Sequence, residues 1–287
     1  MSQPKRILLL DTGNEWGGGT NSMFELLKRL DRERFAVTCC FYKDYRKGRD
    51  GRLLSEELAD IGIPLVLLHP GKQPLWAKLA KEVIRGIFAW SPRLKKMGVL
   101  GVDVQWRIKP RVVALRQALG DGAFELLYMN NQPSSNLEGY LAGEAAGLPV
   151  VQHCRIEPTL QANEVAVVNR VATRIICVSQ GVADVLAAQH VADSRLRVVY
   201  NAIDSRAPLP PAVELPATLN GLVIGTVGQL TARKGVLHLL QAVANLKAEG
   251  LAVSCLILGE GPQRAELEAA AKRLSISQPP LSLNIQQ

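Results

Sequence analysis

Gly17, Gly18 and Gly19 stand where a chain can cradle an anion. They close the run "TGNEWGGGTNSMFELL", a glycine-rich turn that follows the apolar run "RILLLD" ending at Asp11 and leads directly into a helical period. In a parallel α/β sheet such a turn lies at the carboxyl edge, where main-chain N–H groups and the helix dipole accept phosphate. The spacing is not G-x-G-x-x-G, because three non-glycines separate Gly13 from Gly17. It approaches G-x-x-x-x-G-K-[ST] from Gly13 through Gly18 to Thr20, but Gly19 occupies the lysine position that meets the terminal phosphates. A dinucleotide fingerprint and a P-loop are therefore disfavoured. What remains is a general anion-accepting turn, or glycines that only permit close helix–strand packing.

The device recurs as "VGQLTARKGVLHLL", where Arg233 and Lys234 precede a helical period. Two cations ahead of a helix oppose its macrodipole, so they ask for an anion that dipole and side chains hold together; a solvated basic pair is the alternative. A further glycine turn, "LGEGPQRAEL", brings Gly259, Glu260 and Gly261 ahead of another helix and suits a nucleotide or sugar contact. Asn130 and Asn131 follow "FELLYM", and His153 follows "LPVVQ". A polar residue just past a parallel strand points into the crevice where ligands bind. The asparagines serve equally well as caps for the next helix, and His153 as a hydrogen-bonded structural histidine. Ser179 most simply caps the helix "GVADVL". H-E-x-x-H, G-x-S-x-G and paired-cysteine zinc spacings are absent from the sequence, which leaves hydrolase and metalloenzyme readings without parts.

The elements that must position these residues alternate. Strand-like "RILLLD", "FAVTCCFY", "IPLVLL", "FELLYM", "LPVVQHC", "RIICVS" and "LRVVYN" are separated by amphipathic stretches such as 21–30, 51–60, 134–147 and 160–173. This spacing means a parallel sheet with crossover helices. After Asn201, "SRAPLPPAVELPATLNG" blocks helix and central strand alike and reads as a linker. Alternation resumes with "LVIGTVG", a helix stopped at Gly250, "VSCLILG" and a helix opened by Pro262. At roughly 150 residues per domain, 287 residues allow about two domains. The 47% apolar and 21% charged content suits a packed protein rather than a disordered one. No apolar run reaches spanning or signal-peptide length, and a cytoplasmic protein is expected. The five cysteines lack a C-x-x-C pair and read as reduced, mostly buried hydrophobes.

The charge is concentrated. Between Lys72 and Arg116 lie eleven basic residues against Glu82 and Asp103, a net +9 where the whole chain carries +8. The same stretch holds Trp76, Trp90 and Trp106 and includes the amphipathic "WAKLAKEVIRGIFAW". It reads as an interfacial helix meeting an anionic membrane surface, or as a solvated charged face whose tryptophans pack on the domain. Nucleic acid ranks below lipid, since no recognition signature accompanies the basic residues, and no nucleic-acid partner is expected.

In their order, the first strand with its glycine turn, "VSQGVADVL", "VVYNAID", the linker, "VGQLTARKG" and "LGEGP" resemble a retaining glycosyltransferase of family 4. "NAID" is similar to the family's N-G-[VI]-D, with Ala202 replacing glycine, and "GQLTARKG" to G-R-x…[RK]-K-G, with Gln229 replacing the first arginine. Asn131 falls near a position where many members carry histidine. The resemblance implies an α/β, GT-B-like fold. One complete Rossmann-like parallel-sheet domain would span 1–204, a proline-rich linker 205–220, and an incomplete second Rossmann-like domain 221–287.

It also implies transfer of a sugar from a nucleotide-sugar to a lipid-linked or polysaccharide acceptor in cell-envelope glycan synthesis, with no cofactor and no metal. By that resemblance Arg233 and Lys234 would hold the donor diphosphate, and Gly17, Gly18 and Gly19 would approach the same phosphates from the other domain. Gly259, Glu260 and Gly261 would lie near the nucleotide, while Asn131 and His153 would line the acceptor-side crevice. Family members continue through further strand–helix units, one bearing an E-x7-E element that grips the donor. This sequence stops before them and changes character after Leu274, so a truncated product is expected. A non-catalytic remnant or membrane-associated accessory subunit is the alternative to an active enzyme.

Overall fold

The computed structural model describes residues 3–48, 51–70, 73–202, 206, 208, 211, 212, 219 and 221–276. Most of the expected linker, the tail beyond Ile276 and Lys72 lie outside this set. The chain forms two compact units, Met1–Asp204 and Ser205–Gln287.

The first unit is built on a seven-stranded parallel sheet of β1 (Lys5–Asp11), β2 (Phe35–Phe41), β3 (Leu65–Leu67), β4 (Leu126–Met129), β5 (Val150–Cys154), β6 (Ala172–Cys177) and β7 (Leu196–Val198). Their spatial order is β3-β2-β1-β4-β5-β6-β7, so the chain reverses direction of growth between β1 and β4. Side-chain alternation along β1 sends Leu8 and Leu10 into one core and Leu9 into the other. The first core takes α5 (Lys109–Asp121), α6 (Leu137–Ala145), α7 (Ala162–Val171) and α8 (Gln180–Ala188) through Leu115, Tyr140, Val168 and Leu186. The second takes α1 (Gly18–Arg29) and α2 (Leu54–Asp60) through Met23, Leu27, Leu54 and Leu58. Each such leucine contributes about 1.5–3 kcal/mol by leaving water.

Close approach of α6 to the sheet depends on two glycines. A Cβ at Gly139 would lie 2.2 Å from Met129 Sδ, and one at Gly143 2.4 Å from Val150 Cγ2. Cys39, Cys40, Cys154 and Cys177 are buried free thiols, and burial pushes the Cys40 and Cys154 thiols up to about 12. Cys255 is half-buried.

Between β3 and β4 the chain makes a long helical excursion. It comprises α3 (Leu75–Ile87), α4 (Pro92–Asp103), a π-helical turn Val104–Ile108, and α5. Ser91 caps α4 with its side chain accepting from the Leu94 N–H at 3.5 Å, ahead of Pro92 in the first turn. This excursion is the basic, tryptophan-rich stretch.

In the second unit β8 (Leu222–Val227) and β9 (Val253–Leu258) pair in parallel, with α9 (Val236–Ala248) and α10 (Arg264–Arg273) beside them. Gly250 stops α9 as expected, at φ +85°, with the Gly250 and Leu251 N–H groups returning to Lys247 and Leu246 carbonyls. Leu230, Val236, Leu240, Leu267 and Ala270 form its small core.

Candidate functional site

A reversal of strand order opens a crevice outside the carboxyl ends of the flanking strands. Here those strands are β1 and β4, and the side chains at the end of β1 and just past β4 interlock. Asp11, 3% exposed, accepts hydrogen bonds from the Gly13 N–H at 2.7 Å, Asn130 Nδ2 at 2.6 Å and Asn131 Nδ2 at 3.2 Å. The asparagines therefore do not cap the following helix. They fix the β4 end to the β1 end, and Asn131 adopts the left-handed region at φ +82° to do so. Gln152 donates to the Asn131 carbonyl at 2.7 Å, and buried Asn136 donates to the Asn130 carbonyl at 2.6 Å, bracing the turn from below the edge.

Arg155, one residue past β5, is the group the motif reading passed over. Its guanidinium is half-buried and satisfied by neutral acceptors. Nε donates to Asn130 Oδ1 at 2.7 Å, and Nη1 to Ser22 Oγ at 2.6 Å and Asn201 Oδ1 at 3.4 Å, while Nη2 lies 3.3 Å from His153 Nδ1. Among the described residues it has no carboxylate ion-pair partner. Burial lowers the Arg155 pKa, yet arginine stays charged. The signal was present in "HCRIEP": a basic residue at a strand end falls under the same edge rule that singled out His153.

His153 is 9% exposed and lies against Tyr128, whose hydroxyl is 2.5 Å from Nδ1. Burial, then the Arg155 charge, push its pKa down to about 3, so the ring is neutral at physiological pH. Arginine can only donate, so Nδ1 is the acceptor and the proton sits on Nε2. Nε2 is buried and has no partner among the described residues. The Tyr128 hydroxyl is pushed up to about 12, chiefly by burial, and remains a donor.

The glycine turn meets this cluster. Gly17 caps α1 in extended conformation, and the α1 dipole begins at Gly18. A Cβ at Gly17 or Gly18 would meet nothing within 4 Å, so packing does not demand these glycines. A Cβ at Gly19 would lie 3.4 Å from Arg155 Cδ. First-turn N–H groups, which lack intrahelical acceptors, thus adjoin an arginine held only by neutral groups. Ser22 and Asn201, the asparagine of "NAID", bond each other at 3.2 Å and Arg155 at its outer side. Ser179 caps α8 as expected, accepting from the Val182 N–H at 3.2 Å.

In the second unit Arg233 and Lys234 occupy a 3₁₀ turn, Ala232–Lys234, and Gly235 at φ +67° leads into α9. Both side chains are exposed, and among the described residues neither has a hydrogen-bond or ion-pair partner. Gly259 and Gly261 pack tightly against Gly228 and Leu230, in the loop that leads into this turn. Their Cβ atoms would lie 1.9 Å from the Gly228 carbonyl oxygen and 2.4 Å from that of Leu230. The Leu230 N–H donates to the Glu260 carbonyl at 2.8 Å, and the Glu260 carboxylate pairs with Arg264. These contacts bind one turn to the other. Among the described residues no cluster of His, Cys, Asp and Glu is placed to hold a metal ion.

A doubly wound parallel unit followed by a second β-α-β-α unit defines a protein of the two-Rossmann-unit class. The sequence matches the family model for Glycosyltransferase Family 4 over residues 16–206 and that for Glycosyl transferases group 1 over residues 214–278. The chain belongs to glycosyltransferase family 4. It is 31% identical to 2-deoxystreptamine glucosyltransferase of Streptomyces kanamyceticus, across 78% of this chain and 66% of that protein. The chain thus spans about two thirds of that relative's length. Its fold is similar to Anabaena HepE in complex with UDP and glucose, at 17% identity and TM-score 0.67, covering 99% of this chain and 70% of the other. It is also similar to the apo form of the lipopolysaccharide outer core galactosyltransferase WaaB, at 14% identity and TM-score 0.59, covering 94% and 65%.

Proposed function

We propose that this protein acts in sugar transfer from a nucleotide-sugar donor to a glycan or lipid-linked acceptor of cell-envelope synthesis, with retention of anomeric configuration, on the cytoplasmic side. The observation that carries this reading is Arg155, a cation without a carboxylate partner beside the open glycine N-terminus of α1, at the strand reversal. Membership of glycosyltransferase family 4 and the glucosyltransferase relative support it, as do the exposed, unpartnered Arg233 and Lys234 ahead of α9.

In the reaction the bond from the anomeric carbon to the donor diphosphate breaks, and the diphosphate keeps the electron pair. An acceptor hydroxyl oxygen bonds the anomeric carbon and releases its proton. Negative charge grows on the leaving diphosphate, so fixed cations and N–H groups favour the transition state over the ground state. We assign diphosphate contacts to Arg233 and Lys234, and phosphate acceptance to Gly17, Gly18 and Gly19. Gly259, Glu260 and Gly261 are assigned to the nucleotide side, and Asn131 and His153 to positioning the acceptor-side edge. No cofactor or metal is part of this reading.

Calorimetric titration with UDP-glucose and UDP tests it. Binding is expected, and Lys234→Ala is expected to weaken it by about 1.5–3 kcal/mol, the scale of a charge-assisted hydrogen bond. Absence of binding at millimolar nucleotide-sugar would remove the reading. Binding without sugar transfer or diphosphate release would favour a non-catalytic accessory role. Proton NMR of the glycosidic product reads the anomeric configuration.

A further inference from the structure

The helix α3 wears its apolar side outward. Leu75, Leu79, Val83 and Ile87 repeat every four residues along one stripe and are 81%, 66%, 49% and 61% exposed. Trp76 and Gly86 lie within the same arc of about 120° at 3.6 residues per turn. Trp90, just past the helix, is 76% exposed.

The inward side is small and partly charged. Ala77 is the one fully buried residue of α3. Lys81 turns inward, donating to Asp103 at 3.0 Å and to Gln73 at 3.1 Å, and Ile84 packs against Gly98 of α4. Trp76 and Trp106 meet edge to face at 4.7 Å, holding the helix against the π-helical turn. A surface helix in water normally buries its apolar stripe and exposes its charges. Here an ion pair anchors the helix inward, and the leucine, valine and isoleucine face is left out.

Charge identifies the occupant. Lys78 and Arg85 flank the stripe on one side, with Glu82 paired to Arg85 beside them, and the stretch from Lys72 to Arg116 that carries the stripe holds a net +9. Such a surface repels a second copy of itself. Nucleic acid would use stacked aromatics among the cations rather than an aliphatic stripe. An apolar face with exposed tryptophans and a basic flank fits the headgroup layer of an anionic bilayer. No helix among the described residues is long and apolar enough to cross a membrane, so the fitting geometry is one lying in the surface plane.

We infer that α3, with Trp90 at its end, is a docking surface for anionic lipid bilayers, the aliphatic stripe entering the headgroup layer and the basic flank meeting lipid phosphates. This inference is independent of sugar transfer.

Flotation of the full chain with vesicles of phosphatidylcholine alone, or phosphatidylcholine mixed with phosphatidylglycerol, tests it. At least about tenfold stronger partitioning onto the anionic vesicles is expected, with a blue shift of tryptophan emission and quenching by brominated acyl chains. The double variant Leu79→Gln with Val83→Gln changes only exposed positions. It is expected to lose about tenfold in partitioning at unchanged thermal unfolding. Lys78→Gln is expected to weaken partitioning onto anionic vesicles alone. The inference is overturned if the chain floats with neither vesicle, or if the double variant floats as well as the parent. It is equally overturned if the stripe proves to be covered in a dimer that persists with vesicles present, or if the chain binds single-stranded RNA and ignores lipid.

Discussion

Arg155 donates its Nε–H to Asn130 Oδ1 at 2.7 Å, while the other end of the same amide donates to Asp11 at 2.6 Å. One neutral side chain thus stands between a carboxylate and a guanidinium and serves both, which fixes its orientation. Asn130→Leu keeps the size and removes both functions, leaving an Arg155 donor and an Asp11 oxygen short of a partner. A loss of about 1–3 kcal/mol for each orphaned group is expected in urea unfolding. An unchanged midpoint would show that water or rearrangement serves these groups equally well.

The buried His153 sets a pH dependence whose sign follows from its direction of shift. Its folded pKa, about 3, lies below the ordinary value of 6.5. Above that ordinary value neither folded nor unfolded chain holds the proton, and stability is at its full level. As pH falls below it, the unfolded chain gains a proton that the folded chain refuses. Stability is expected to drop by about 1.4 kcal/mol per pH unit, until the folded pKa is reached. Urea unfolding at pH 7 and pH 5 measures this, and His153→Gln should flatten the difference. NMR should show one histidine that stays neutral across this range with its proton on Nε2. Because burial is the larger cause and Arg155 the smaller, Arg155→Met should raise the His153 pKa without restoring it.

Much of this arrangement is legible in the sequence because strand–helix alternation and edge position are local properties. The rule that polar residues past parallel strands face the crevice singled out Asn130 and Asn131, which do follow β4, and His153, which instead lies inside β5 and is buried. The rule applied equally to Arg155, which was hidden by its neighbour. Partners were harder to see. Asn130 and Asp11 are 119 positions apart, and only the pairing of β1 with β4 brings them together, so local capping looked as good an account of the asparagines. The direction in which α3 faces was not legible at all. Period 3.6 reveals an apolar stripe, and the same stripe can face core or solvent; the choice is made by Lys81 meeting Asp103 across 22 residues.

Two classes of glycine give opposite expectations. Gly143→Ala inserts a methyl group 2.4 Å from the stiff Val150 side chain, so α6 must shift from the sheet. A destabilisation of about 1–3 kcal/mol is expected, the cost of overpacking a filled core. Gly18→Ala meets open space at the first residue of α1, where replacing glycine restricts the unfolded chain and stabilises by about 0.4–1 kcal/mol. Its thermal midpoint should hold or rise, while UDP-glucose affinity falls if the added methyl blocks approach to the N–H groups. Unchanged affinity would remove Gly18 from the binding surface.

Arg233 and Lys234 permit a sharper separation of stability from binding. They precede the N-terminus of α9, where positive charge opposes the dipole, and among the described residues their side chains contact no partner that offsets this. Lys234→Glu reverses the charge at that end and should stabilise the second unit by about 0.3–1 kcal/mol. The same change sets a carboxylate against a ligand diphosphate. Binding of UDP-glucose should then fall by more than the alanine variant loses, and the salt dependence of what remains should weaken. Urea unfolding and calorimetry on one preparation read both quantities. A residue held for structure would move them in the same direction, whereas a residue placed for an anion moves them apart.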